Sequence, residues 1–153
     1  MKKSTIGLTF LVLAFALGVT FMGQKDQGKT ASKKIVIYQS KSCGCCKKWV
    51  KHLEDNGFET VSKFVDDVTE TKLSVNLPMK LASCHTALVD GYLIEGHVPA
   101  SAIQKLLAEK SSIKGIAVPG MPMGSPGMEG SYKEPFDVIA FEENGNERIF
   151  MNF

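Results

Sequence analysis

Cys43, Cys45 and Cys46 stand within four residues of one another as Cys43-Gly44-Cys45-Cys46, and a fourth cysteine follows at Cys84, beside His85. The outer pair has C-x-x-C spacing, which serves thiol–disulfide exchange when one sulfur attacks and the other resolves. That task needs two sulfurs, and a third between them invites scrambling. Three thiolates this close can instead ligate and bridge soft metal ions. Cu(I) favours sulfur ligands and Zn2+ accepts them, whereas Mg2+ and Ca2+ take oxygen. Met121-Pro122-Met123 and Met128 add thioether sulfurs, which do not titrate and stay soft donors where thiols are oxidised. They lie among Gly and Pro rather than at helical spacing. The competing role for them is gap-filling in an apolar core.

The pattern around the cysteines predicts the elements that hold them. Lys34-Ile-Val-Ile-Tyr-Gln39 is a short β-branched run, read as a buried strand that gives way to a loop at Ser40-Lys41-Ser42. From Cys46 onward, Trp49, Val50 and Leu53 make the i, i+3, i+4, i+7 stripe of a helix, and Gly57 stops it. The cysteines therefore sit where a strand hands over to a helix, as in thioredoxin, where the helix N-terminus favours a thiolate. Residues 58–65 read as a second strand and 66–78 as a stretch holding a short helix that ends before Pro78. Residues 83–97 form a hairpin through Asp90-Gly91. Pro99 opens a helix at a position where a missing N–H is tolerated, with Ile103, Leu106 and Leu107 as its core face. Residues 118–131 are a Met/Gly/Pro-rich loop, and 136–141 with 148–153 form a terminal hairpin. In a thioredoxin layout, Cys84 and His85 open the strand beside the C-x-x-C loop. His85 then takes the place where thioredoxins carry a cis-proline, and a thiolate and an imidazole are aimed at the CGCC loop. The expected fold is α/β and thioredoxin-like, with a central mixed sheet, a C-terminal β-hairpin and the Met/Gly/Pro-rich loop.

The chain has 153 residues, 44% hydrophobic and 22% charged, which fits one globular domain and excludes collagen-like, coiled-coil and broadly disordered classes. Its formal charge of +2 rests on Lys2 and Lys3; without them each sign counts 16. No basic stripe remains to displace counterions from phosphate, so nucleic acid is not an expected partner. Lys2-Lys3 followed by the uncharged run Ile6 to Met22 has the grammar of an export signal. The run is long for a signal core and short of the roughly 20 residues of a spanning helix. Cleaved signal and retained membrane anchor both stay open. The domains expected are a signal peptide or anchor over 1–23, a polar linker over 24–33 and a metal-binding domain over 34–153, outside the cytoplasm.

These residues resemble the small exported copper-resistance proteins of the CopG type, long catalogued as a domain of unknown function. The resemblance runs from about Ile35 to Met128. It is carried by Cys43-Gly-Cys45-Cys46-Lys-Lys-Trp49, Met79-Lys-Leu-Ala-Ser-Cys84-His85-Thr86, Glu95-Gly-His97-Val-Pro-Ala100 and Gly120-Met121-Pro-Met123-Gly124. The pairing of CGCC with SCHT is its specific part. It implies a thioredoxin-like periplasmic protein that binds copper through its cysteines, with a redox role in copper tolerance.

The expected function is to hold Cu(I), as a multinuclear thiolate site, through Cys43, Cys45, Cys46 and Cys84. His85, Met121 and Met123 are candidate further ligands or entry points. Sequestration, transfer and redox cycling are the uses weighed, with copper ions and copper-handling or redox proteins as partners. The rival is a thiol–disulfide oxidoreductase using Cys43 and Cys46; whether the chain is an enzyme stays open. A structural zinc module is a third reading. A purely structural disulfide framework is disfavoured, because adjacent Cys45 and Cys46 bridge each other poorly and a domain this size needs no staples. His97 reads as a structural histidine at the corner after the hairpin, His52 as solvated surface, Trp49 as packing under the cysteine loop, and Met79 and Met151 as packing.

Overall fold

The computed structural model describes residues 33–153; the predicted signal or anchor over 1–23, and all of the linker except Lys33, lie outside the described residues. Strand β1 (Lys34–Gln39) buries Ile35 and Ile37, as its β-branched run requires. Helix α1 (Gly44–Asp55) follows, burying Cys46, Trp49 and Leu53 on one stripe. It begins two residues before Cys46, because the Cys43 side chain caps it. Strand β2 (Glu59–Phe64) returns parallel to β1. Helix α2 (Val68–Ser74) is capped by Asp67, which accepts from Thr69 N–H at 2.7 Å. A 3-10 turn over Met79–Leu81 leads to β3 (Thr86–Val89) and β4 (Tyr92–Glu95), an antiparallel pair joined at Asp90-Gly91.

Helix α3 (Ala100–Glu109) starts one residue later than expected, with Pro99 as its N-cap. Strand β5 (Gly115–Ala117) then pairs parallel to β4, and β6 (Asp137–Phe141) with β7 (Glu147–Asn152) forms the terminal hairpin. Together the strands make one mixed seven-stranded sheet in the order β2-β1-β3-β4-β5-β6-β7. The α/β class, mixed sheet and C-terminal hairpin are as the pattern predicts. Strand β5 is an addition to it. At Gly115 a Cβ would stand 2.1 Å from the Leu93 carbonyl oxygen, so a glycine here is what lets β5 approach β4.

The sheet divides the core. Ile35, Ile37, Ile94 and Ile116 pack with Trp49, Leu53, Ile103 and Leu106 of α1 and α3, each buried aliphatic contributing roughly 1.5–3 kcal/mol. Leu93, Ala117 and Phe141 pack with Leu77 and Leu81 in a second cluster. Residues 118–136 form no helix or strand. Met151 packs against the core as expected, but Met79 is 45% exposed. Among the described residues no helix is long and apolar enough to cross a membrane.

Candidate metal centre

The strand-to-helix handover places three sulfurs at one point. Cys43 ends the loop after β1 and its Sγ accepts from Cys46 N–H at 3.3 Å, occupying the N-cap. Cys45 and Cys46 then fall on the first turn of α1, Cys46 buried and Cys45 half-buried. Cys84 arrives from across the sheet, just before β3. Its Sγ lies 3.5 Å from Cys46 Sγ and 3.8 Å from Cys45 Sγ, and Cys43 Sγ is 3.5 Å from Cys45 Sγ. The four sulfurs all lie within 4.8 Å of one another, an arrangement able to hold a metal ion. Cys43 and Cys46 are joined by a disulfide in this structure, while Cys45 and Cys84 are free thiols.

Cys84 is held from behind by a buried polar network. Glu95 Oε1 accepts from Ser83 N–H at 2.6 Å and from the Lys72 ammonium at 2.6 Å, while Glu95 Oε2 accepts from the Thr86 hydroxyl at 2.6 Å. Lys72 also donates to Thr86 Oγ1 at 2.8 Å, and the Ser83 hydroxyl donates to the Gly120 carbonyl. The residue preceding Cys84 is thus tied at both its amide and its side chain.

Two imidazoles flank the Cys84 sulfur. His85 Nδ1 lies 3.3 Å away and His97 Nε2 3.0 Å, so Cys84, His85 and His97 make a second cluster within 4.8 Å. His85 is fully buried, packed on the Trp49 ring at 4.3 Å and edge-on to His97 at 5.0 Å. Its Nε2 has no hydrogen-bond partner. His97 Nδ1 donates to the Pro126 carbonyl at 2.8 Å, which leaves Nε2 as the unprotonated nitrogen facing Cys84. Burial drives both histidines below their ordinary pKa, His85 strongly, so each is neutral at pH 7. Burial, reinforced by Cys45, pushes the Cys84 thiol up to about 12.

The 118–136 connection closes over this assembly. Gly127 has φ +88°, and a Cβ there would stand 2.6 Å from the Cys45 carbonyl oxygen, 3.0 Å from Trp49 N and 3.2 Å from His97 Nδ1. Only glycine allows the loop to lie on the first turn of α1.

The structure therefore brings Cys43, Cys45, Cys46, Cys84 and His85 together. It places Met121 in solvent, 52% exposed, and turns the Met123 methyl against Gly130. His97, read as a corner residue, in fact contacts Cys84. His52, read as solvated, is half-buried, and its Nε2 accepts from Ala100 N–H at 3.0 Å, giving α3 the cap that Pro99 cannot supply. Trp49 is buried as expected and donates to the Val98 carbonyl at 2.8 Å.

Residues 81–128 match the model of a family described as "Protein of unknown function, DUF411". No curated protein matches the chain. A solved structure titled "Copper resistance protein copG", Form 2, is 40% identical over 80% of this chain and 98% of its own, with a TM-score of 0.76. The chain belongs to the CopG family. Form 1 of the CopG structure agrees, at 40% identity over 78% of this chain and 96% of its own, with a TM-score of 0.74.

Proposed function

We propose that this CopG-family protein holds Cu(I) at the meeting of α1 and the start of β3, with Cys43, Cys45, Cys46 and Cys84 as ligands. The observation that carries the reading is the set of four sulfurs within 4.8 Å, supplied by two chain segments that the sheet fixes side by side. Three of the four come from four consecutive residues, so neighbouring thiolates can bridge between ions as well as share one, and the site is read as multinuclear. Neutral His85 offers a further nitrogen, and Met121 and Met123 serve entry from solvent rather than the core of the site. The fold is thioredoxin-like in its β1-α1-β2 and β3-β4-α3 halves. Its basic start and apolar run support a working domain outside the cytoplasm, in the periplasm, where it sequesters copper or passes it to copper-handling proteins.

The test is native mass spectrometry of anaerobically purified, copper-loaded protein beside Cys45→Ser. Wild type should carry more than one copper per chain, and the variant should lose at least one. An unchanged count would end the shared-thiolate site.

The Cys43–Cys46 disulfide favours a second reading, a thiol–disulfide oxidoreductase. The dithiol gives up two electrons and two protons to become the disulfide, enough to reduce a partner's disulfide or two Cu(II) ions to Cu(I). Insulin reduction by metal-free protein separates the readings: a storage protein shows none, and a general oxidoreductase turns over.

A further inference from the structure

The sheet ends on β2, and among the described residues no strand pairs with its outer side. The backbone groups of β2 alternate between the two sides. Glu59 N–H donates to the Lys33 carbonyl at 3.2 Å and Val65 N–H to the Gln39 carbonyl at 3.1 Å, so Glu59, Val61, Lys63 and Val65 turn their main-chain groups to β1. Thr60, Ser62 and Phe64 turn theirs outward. The side chains of the first two are engaged within the chain: the Thr60 hydroxyl donates to Glu54 Oε1 at 2.5 Å, and Ser62 Oγ accepts from Gln39 Nε2 at 2.8 Å. What this edge leaves open is backbone, together with the Phe64 ring, which is 50% exposed.

The opposite edge of the sheet is guarded. β7 carries a bulge at Phe150, opposite the step from Val138 to Ile139, and Lys105 donates to the Phe150 carbonyl at 3.5 Å. Bulges and edge lysines are devices that stop another strand from adding to a sheet. β2 keeps an unbroken register with β1 over all six of its residues and contains neither proline nor glycine. It does contain a lysine, Lys63, and a glutamate, Glu59, placed symmetrically about Val61.

We propose that β2 docks a second copy of this chain, edge to edge and antiparallel about a two-fold axis at Val61, so that one sheet runs through both copies. In this register Thr60 stands opposite Ser62 of the second copy, and Ser62 opposite its Thr60. These are outward-turned residues, so each pair exchanges both of its N–H···O bonds. Val61 meets its own counterpart, and Glu59 stands opposite Lys63 on both sides of the axis, at the non-hydrogen-bonded positions where facing side chains approach most closely. Glu59, Val61 and Lys63 pair with Lys34, Val36 and Tyr38 of β1 and therefore share one face of the sheet. Phe64 falls opposite Phe58, which gives the exposed ring an aromatic neighbour. A slip of one residue would set outward groups against inward ones, and a slip of two would set a charge against Val61. The charges thus select a single register, and a lysine that deters other strands is matched by this one. The axis sets the two copies of β1 antiparallel, so the cysteine loops that follow Gln39 point to opposite ends of the joined sheet and stay open. The pairing needs no metal and is independent of the copper reading.

The test uses full-length protein in a mild detergent, reduced and chelator-treated so that neither disulfides nor metal can join copies. Sedimentation gives the association constant, and residue-resolved hydrogen exchange is followed across a dilution series. Wild type should dimerise, and the Thr60, Ser62 and Phe64 amides should gain protection as concentration rises. Glu59 and Lys63 are exposed, so their reversal leaves the core intact. Lys63→Glu turns both facing pairs from attractive to repulsive and should weaken association by roughly 10- to 30-fold, as should Glu59→Lys. An equal mixture of the two variants should recover wild-type association, because every pair in the mixed dimer is again of opposite sign. The proposal is overturned if these amides exchange fast at every concentration, or if their protection does not change on dilution, which would mean that the chain's own N-terminal segment covers the edge. It is equally overturned if a dimer forms that Lys63→Glu does not weaken or if the mixture associates no better than either variant, since the interface would then lie elsewhere.

Discussion

The Lys72–Glu95 pair behind Cys84 is a buried ion pair with side chains 5% and 0% exposed and a 2.6 Å contact, and Lys72→Met isolates what it does. Removing one partner of such a pair leaves an uncompensated charge and destabilises by about 3–5 kcal/mol. On the order of 10 °C in Tm should be lost for a domain of this size. Glu95 has a way to limit that loss. Burial already pushes its carboxyl above the ordinary value, against the opposing pull of Lys72, Thr86 and Ser83, and without Lys72 it rises further. The folded variant then holds a proton that the unfolded chain, with a carboxyl near pKa 4.3, releases, so its stability rises as pH falls toward that value. Between pH 8 and pH 5 protonating the carboxyl becomes easier, so the variant should recover part of the loss. Urea unfolding followed by Trp49, the only tryptophan, reports this as a variant-minus-wild-type difference at both pH values. A loss below about 1 kcal/mol at pH 8, or one equal at pH 8 and pH 5, would refute the account. Lys72→Met with Glu95→Leu should recover most of the stability, short of about 1 kcal/mol for the stranded Ser83 amide.

Two further substitutions test the supports around the site. Gly127→Ala must push the loop off the Cys45 carbonyl, at about 2–3 kcal/mol of local strain, so hydrogen exchange at Ser125 and Met128 should quicken while β1 stays protected; unchanged exchange in the loop would count against the close approach. His52→Ala removes the acceptor of Ala100 N–H and should lose about 1 kcal/mol, as other helix caps do. Burial lowers the His52 pKa, so its contribution is present above about pH 6.5 and lost as pH falls through the lowered value. The variant should therefore lose less stability than wild type between pH 7.5 and pH 5.5 in urea titrations, and equal slopes would show that His52 does not titrate with folding.

Local pattern carried most of the fold. β1, α1, the Asp90-Gly91 hairpin and the terminal hairpin are each specified within about a dozen residues by periodicity and turn chemistry. β5 escaped because three residues carry no period and its glycine is explained only by Leu93 and Phe141, distant in sequence. The site divides in the same way. The CGCC cluster and its meeting with Cys84 follow from the strand-to-helix handover and the hairpin. The roles of His97 and His52 come from contacts made 29 and 48 residues away, to Pro126 and Ala100, which no spacing announces. Lys72 and Glu95 pair across 23 residues, and a lysine on a short polar helix gives no sign that it points inward.

Four sulfurs in mutual contact cannot all serve two chemistries at once, and this sets how the metal and the disulfide relate. A disulfide sulfur has no thiolate to offer, so the oxidised chain presents only Cys45 and Cys84, 3.8 Å apart, where the reduced chain presents four donors. On the copper reading, oxidation therefore lowers capacity, while His97 and the Glu95 network still hold Cys84 in place in the oxidised chain. One close-packed sulfur cluster can thus couple metal occupancy to thiol redox state with no moving element beyond the sulfurs themselves.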